Sequence, residues 1–481
     1  MIHVLAFEEP SINTGEDLRR VAQIVARQVR QRDAFPVVVV SAFTGVTDQL
    51  LALAQWAREN RPQESAHLLE QIRQRHREVA ERAIQDAGRC RDTLSVLEEA
   101  MLQLERDLMQ VQMAQHMARV VAWGERLAIL LVATAIEEEE VRAAPVCEAV
   151  VITALPPQRG ASVLEDELAA APALLTETRV CARRQLLPLL TSQVVPVVAG
   201  SLGHTSNRVV TTPGRHSAAY TAALLAEALH GSAVECYTNV DGVLTADPQL
   251  VPDAFALLSL SYDEALHLAS FGDHPTGPLQ PRLLLPLAAR NISLRIRNLH
   301  APEAVGTLIS AAPSPSFTTA LALHREVALV TVKGRTRGDV PKTLSMLLRL
   351  VTRTGITPLM LHLTNSYACS FLIETRAAEV VVRTLQGSLE RWEVRCQTDL
   401  AACLCLGSAL TRNPLNLAYA VVALADERIP VLSQGCSEQG LIVVVKVEDG
   451  PRALRRLHRD FVTPLAPSGR PVLEVRPVAS V

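Results

Sequence analysis

The stretch PVVVVSAF at residues 36–43 admits few folds. Four consecutive valines leave no polar face for solvent, so a strand built from them must be covered on both sides. Similar runs occur at VLAF (4–7), VVPVVAG (194–200), SAVECYTNVDGV (232–243) and ISLRIRN (292–298). Helical periods lie between them. After VLAF, for example, Leu18, Val21, Ala22 and Val25 share one helix face, with Glu16 and Asp17 in the first turn. The alternation predicts an α/β domain with a largely parallel sheet between helices. Between 64 and 120 the pattern changes. Leu68, Leu69, Ile72 and Val79 form one helical stripe, and Leu94, Leu97, Met101, Leu104, Leu108 and Val111 a longer one. They predict a helical hairpin laid on the sheet domain.

SAAPSPSFTT (310–319) reads as a linker. Beyond it two similar units follow, each strand, loop with proline, helix, strand, turn, strand: VALVTVKGRTRGDVPKTLSMLLRLVTRTGITPLMLHLTNSYACSFLIE, then ACLCLGSALTRNPLNLAYAVVALADERIPVLSQGCSEQGLIVVVKVEDG. The repeat implies two small modules of one type. The expected limits are 1–310 for the first domain, 311–322 for the linker, and 323–393 and 394–470 for the modules.

A net charge of -3 gives no basis for binding nucleic acid or an anionic membrane. Aromatic residues at 3% offer few stacking platforms for single strands. Neither a leader pattern nor an apolar run of spanning length is present, so a cytoplasmic protein is expected. The nine cysteines lack metal-site spacing and read as reduced, mostly packed thiols, and no metal site is expected. The only lysines are Lys333, Lys342 and Lys446, so chemistry needing an ammonium group cannot use the first two thirds of the chain.

Strand, loop and helix at the start form the geometry in which backbone N–H groups cradle a phosphate. Yet the loop carries Glu8, Glu9 and Pro10, two carboxylates and a residue with no N–H.

Five stretches carry a resemblance: SAFTGVTDQLLALA (41–54), WGERLAILL (123–131), TTPGRHSAAYTAALLAEAL (211–229), YTNVDGVLTADPQLVPDA (237–254) and LSYDEALHLASFG (260–272). In order and spacing the chain resembles the aspartate kinases, from near residue 2 to about 465. The resemblance implies an amino acid kinase-type α/β sandwich with a helical hairpin insertion, followed by two ACT-type (βαββαβ) modules. Family members transfer the γ-phosphoryl of ATP to the aspartate side chain, using a KFGGTS loop, a GRGGSD loop and a lysine in FGAKVLHP. Here those loops read AFEEPS, GRHSAA and FGDHPTGPLQPR. Family positions thus fall on Ala6, Glu8, Glu9, Ala219 and Asp273, while Asn239 and Gln249 replace an aspartate and an arginine. Carboxylates at a polyphosphate repel it, by about 4 kcal/mol per contact pair at an effective dielectric near 20.

Positions on the amino acid side persist. The resemblance implies substrate contacts at Ser11, Thr47, Glu125 and Arg215, and a nucleotide-binding remnant at Thr238, Asp241, Gly242 and Asp247. Local readings stand beside these. Glu125 can cap the start of the GERL helix, Thr47 can be a turn or N-cap residue, and Asp241, Gly242 and Asp247 can form turns. Arg215 is an anion contact, a substituting cation or a solvated surface arginine, and His216 and His274 read as polar loop residues rather than a general acid and base. In the second module Ser433, Gln434, Ser437 and Glu438 keep the family's effector pattern. In the first, Asn365 and Ser366 match more loosely, and Lys333, Arg335, Arg337 and Asp339 form a polar loop able to grip a carboxylate or simply to turn.

The function implied is a family member with lost or weak phosphoryl transfer. It would bind a small amino acid of aspartate, lysine or threonine type, and regulate or scaffold a biosynthetic enzyme partner as a homo-oligomer joined through its ACT modules. The alternative is an active aspartate kinase with a rearranged nucleotide site, for which Mg-ATP would be the cofactor.

Overall fold

The structure is a computed structural model and describes residues 2–32, 35–110, 114–155, 171–214, 217–271, 279–312, 320–334, 340–365, 368–388, 392–407 and 414–462. The chain forms two compact units, Met1–Val243 with Gln280–Ala312, and Leu244–Leu279 with Pro313–Val481. The stretch 244–279, drawn from sequence inside the first domain, groups with the second unit.

The first unit runs β1 (His3–Phe7), α1 (Gly15–Arg32), β2 (Val37–Val40), α2 (Val46–Arg58), α3 (Pro62–Ala83), α4 (Ala87–Met109), α5 (Ala114–Glu138), β3 (Ala143–Val146) and β4 (Val151–Ile152). It continues with α6 (Leu175–Thr191), β5 (Val195–Ala199), β6 (Gly203–His204), β7 (Val210–Thr211), α7 (Ala218–Leu229) and β8 (Ala233–Thr238). The chain then contributes β9 (Ser259–Ser261) and α8 (Tyr262–Phe271) to the second unit. It returns with α9 (Pro281–Ala288), β10 (Ser293–Asn298) and β11 (Thr307–Ser310).

Within this unit the main sheet is ordered β3-β5-β2-β1-β8-β10-β11, and only the β10–β11 pairing is antiparallel. Val37 to Val40 are fully buried, as their lack of a polar face requires. From β1 the chain passes to β2 on one side and later to β8 on the other. That order opens a crevice at the carboxyl ends of the central strands. A small sheet, β4-β6-β7, stands beside it.

The hairpin is α3 and α4. It buries Leu68, Ile72 and Val79 from one helix and Leu97, Met101 and Leu104 from the other. It ends at Met109, because Ala114 already opens the 25-residue α5. Asp86 caps α4 by accepting the Arg89 N–H at 2.7 Å. The indole N–H of Trp123 donates to the buried Asp107 carboxylate at 2.8 Å, fastening α5 to the hairpin.

The second unit holds β12 (Ala320–Gly334), α10 (Val340–Arg353), β13 (Met360–Asn365), β14 (Ala368–Glu374), α11 (Thr375–Ser388), β15 (Trp392–Leu406), α12 (Pro414–Asp426), β16 (Ser433–Ser437), β17 (Gly440–Lys446) and α13 (Gly450–Phe461). One six-stranded antiparallel sheet, β13-β14-β12-β15-β17-β16, serves both repeats. The two long strands β12 and β15 shift register between His324 and Leu329, and this irregularity divides the cores. Val330, Val332, Phe371, Leu347 and Val381 fill the first module. Leu321, Cys403, Cys405, Val443 and Leu454 fill the second, together with Ala246 and Val251. Each module is therefore a four-stranded βαββαβ unit, but the second takes its last strand from the first half of β12, ahead of the first module. The linker drawn at 311–322 and the limit drawn between 393 and 394 both overlap these shared strands.

All nine cysteines are free, and five of them are buried: Cys181, Cys236, Cys369, Cys403 and Cys405. Leu321→Ala removes a side chain from the second module's core, at a cost of about 2–5 kcal/mol. Hydrogen exchange should quicken in 401–406 and 440–446 while 368–374 keeps its protection. Equal loss in all three strands would contradict the division of the cores.

Candidate functional site

The loops at the crevice are held by carboxylates. After β1, the N–H of Glu8 donates to the Tyr237 carbonyl at 3.0 Å, drawing the side chain inward. Glu8 is buried, and its Oε1 accepts the N–H of Ala219 at 2.7 Å. Ala219 is the second residue of α7, so this carboxylate sits at a helix N-terminus, where unpaired N–H groups and the helix dipole favour an anion. Glu9 does the same at α2. Its Oε1 accepts the N–H of Gly45 at 2.9 Å, and its carbonyl accepts the Thr44 hydroxyl at 2.7 Å. Gly45 is the N-cap of α2, and its φ of 78° is one that glycine adopts without strain.

Glu125 projects from the middle of α5. Its two oxygens accept the single N–H of Ser201 at 2.7 and 2.6 Å. The capping reading of Glu125 does not hold, since α5 starts at Ala114. Thr47 is not an N-cap either, because Gly45 holds that place. Both residues line a cavity of about 120 Å³, shared with Glu9, Ser201, Thr212 and Gly214. Thr47 and Glu125, two positions that the resemblance implies as substrate contacts, thus line one cavity.

Ser11 is buried and turns its hydroxyl to the Glu8 carbonyl at 2.8 Å. Ala6 is buried inside β1. At the end of β8, the Thr238 hydroxyl accepts the Val240 N–H at 3.1 Å and Asp241 accepts the Asn298 amide at 2.8 Å. Gly242 has a φ of 138°, and a Cβ there would lie 2.4 Å from the Thr307 hydroxyl. Asp247 belongs to the second unit, where it accepts the Gln249 N–H at 2.9 Å in a turn. Ser433, Gln434 and Ser437 lie on the edge strand β16, and the Ser437 hydroxyl accepts the Gln439 N–H at 3.2 Å in the turn that includes Glu438. Arg215, His216, Asp273, His274, Arg335, Arg337, Asp339 and Ser366 lie outside the described residues.

Two cations escaped the sequence reading. Arg282, near the start of α9, donates to the Pro213 carbonyl and lies 5.1 Å from the Tyr220 ring. Its field acts on Glu8. Arg75 of α3 donates to Asn13 and acts electrostatically on Glu9. Arg282 closes the very stretch, FGDHPTGPLQPR, in which a lysine is missing. Arg75 left no local signal.

Burial raises the Glu8 carboxyl to about 7, against the opposing hydrogen bond from Ala219. Burial likewise raises Glu125 to about 8, aided by the nearby Glu8 and Glu9 and opposed by the Ser201 bonds. These residues do not fit a triphosphate. A phosphate at either helix start must displace a carboxylate already bonded there, and at α7 it must do so in a buried place where repulsion is little screened.

A model of the amino acid kinase family matches residues 1–298. Aspartokinase 2 of Bacillus subtilis is 31% identical over 283 residues, covering 57% of this chain and 68% of that protein. The chain belongs to the aspartokinases. The bifunctional aspartokinase/homoserine dehydrogenase 1 of Zea mays is 27% identical over 482 residues, 96% of this aspartokinase-family chain. The chain spans about half the length of such plant relatives, 50% in that case. The crystal structure of Escherichia coli aspartokinase III, in complex with aspartate and ADP, superposes with a TM-score of 0.77 at 24% identity, covering 96% of this chain and 100% of that one. That likeness establishes the fold, an amino acid kinase-type sandwich followed by ACT-type modules.

Both raised carboxyls imply a pH dependence. A carboxyl near 4.5 when unfolded and at 7 to 8 when folded stabilises the fold at low pH, and that contribution is lost as pH rises through the folded value. Glu125→Gln keeps the acceptor without the charge. Its advantage in stability over the wild type should be near zero at pH 4.5 and grow to on the order of 5 kcal/mol by pH 9. A gap in denaturation midpoint that ignores pH would refute the assignment.

Proposed function

We propose that phosphoryl transfer is lost or weak in this aspartokinase-family protein, and that its first unit binds an amino acid in the cavity beside Glu125. Its role is then that of a ligand-responsive regulator or scaffold in the synthesis of aspartate-derived amino acids. The observation that carries the reading is the filling of two helix starts by the chain's own side chains, Glu8 at Ala219 and Glu9 at Gly45. Nucleotide phosphates lose their place, while Thr47, Glu125, Ser201 and Thr212 still line a cavity suited to a small polar ligand. In this reading Ser433, Gln434, Ser437 and Glu438 take a lysine- or threonine-type effector, and the modules join two chains into a cytoplasmic homodimer. A biosynthetic enzyme is the partner.

The test is aspartyl phosphate formation from Mg-ATP and aspartate, trapped as the hydroxamate, beside an intact aspartokinase. Turnover below about a hundredth of the control is expected, a barrier difference of about 2.7 kcal/mol. Aspartate should still raise the melting temperature. The Glu8→Gly, Glu9→Gly double variant should gain binding of Mg-ADP that the wild type lacks.

A second reading, an active aspartate kinase, draws support from Arg282, a cation set beside Glu8 and the Pro213 carbonyl. Turnover near the control, abolished by Arg282→Ala, would overturn the first reading in favour of the second.

A further inference from the structure

A separate cleft lies in the first unit, between α5, the end of β3, α6 and the β6–β7 turn, and encloses about 670 Å³. We propose that it is a second ligand site, for a small organic anion that carries carboxylates on a short apolar body. The volume is that of a metabolite pocket. Three guanidinium groups line it: Arg126 from α5, Arg184 from α6 and Arg208 from the turn. Among the described residues none of the three has a side-chain hydrogen bond or salt bridge, although Arg126 lies over the Trp123 ring at 5.0 Å. Several other arginines of the unit are matched. Arg179, on the same helix as Arg184, pairs with Glu227 at 2.7 Å, and Arg73 meets Glu70, Glu98 and Glu105.

The turn adds an independent sign. Arg208 has a φ of 62°, a left-handed conformation that glycine or asparagine adopts at less cost. The turn holds it there through its N–H to the Thr205 carbonyl at 2.9 Å and the Val209 N–H to the Thr205 hydroxyl at 3.2 Å. A large cation kept in a strained position at the lip of a cleft invites a functional reading. The floor is apolar, with Ile152, Leu202 and Val210, and Val180 at the rim is 65% exposed. Guanidinium forks above an apolar floor suit carboxylates on a hydrocarbon body. Glu148 and Glu177 also line the cleft, leaving its formal charge slightly positive and selecting against a bare cation. The site stands back to back with the cavity of Glu125. Leu202 belongs to the cleft, and its neighbour Ser201 holds Glu125.

The probe is anilinonaphthalene sulfonate, an apolar ring system with one sulfonate, titrated into the full chain and competed with citrate. Saturable binding at one site per chain is expected, weakened by salt and displaced by citrate. Arg184→Gln and Arg208→Gln, both at exposed positions, should each weaken it about tenfold. Glu148→Gln should tighten it several-fold, a change of sign that altered folding cannot mimic. Absence of saturable binding, or an affinity blind to all three substitutions, would overturn the proposal.

Discussion

The bond from the Ala219 N–H to the Glu8 carboxylate holds the crevice together. A helix that starts in the interior leaves N–H groups needing acceptors, and water cannot reach this one. Glu8 supplies the acceptor across the crevice and so ties the loop after β1 to α7. Glu9 ties that loop to α2, and Glu125 ties α5 to the end of β5. Three carboxylates thus fasten the loop after β1 to α2 and α7, and α5 to the end of β5. Burial raises two of them, Glu8 to about 7 and Glu125 to about 8. The geometry that generally receives anions from outside is closed here from within.

Much of this was legible in the sequence, for physical reasons that differ from element to element. The valines of β2 can only be buried, and the alternation of such runs with helical periods pointed to a parallel sheet. Apolar stripes on α3 and α4 have one geometric interpretation. Glu8 and Glu9 announced their incompatibility with phosphate by charge, though not the N–H groups they would find, since Ala219 and Gly45 come near only after the sheet forms. Glu125 was misread locally because Gly124 imitates a helix start, whereas packing carries α5 straight through it. Arg75 was invisible because nothing in α3 records which loop it will meet.

The shared strands of the second unit were invisible for a related reason. Sequence similarity finds repeats as consecutive blocks, and the second module is not one. Its fourth strand is the first half of β12, paired with β15 through Ala320↔Leu406 to His324↔Ala402. Both halves of β12 are apolar runs, and the irregularity after His324 separates them.

That interleaving has a consequence for how the protein is made. A ribosome releases the first half of β12 long before the strand that completes its module. Until β15 emerges, Leu321 and its neighbours present an unpaired apolar edge, and the first module waits for the same strand, because its own fourth strand is the first half of β15. The second module is in effect a clasp whose two halves leave the ribosome at different times. Anything that binds the open half during that interval decides whether the clasp shuts on its own chain or on a neighbouring one.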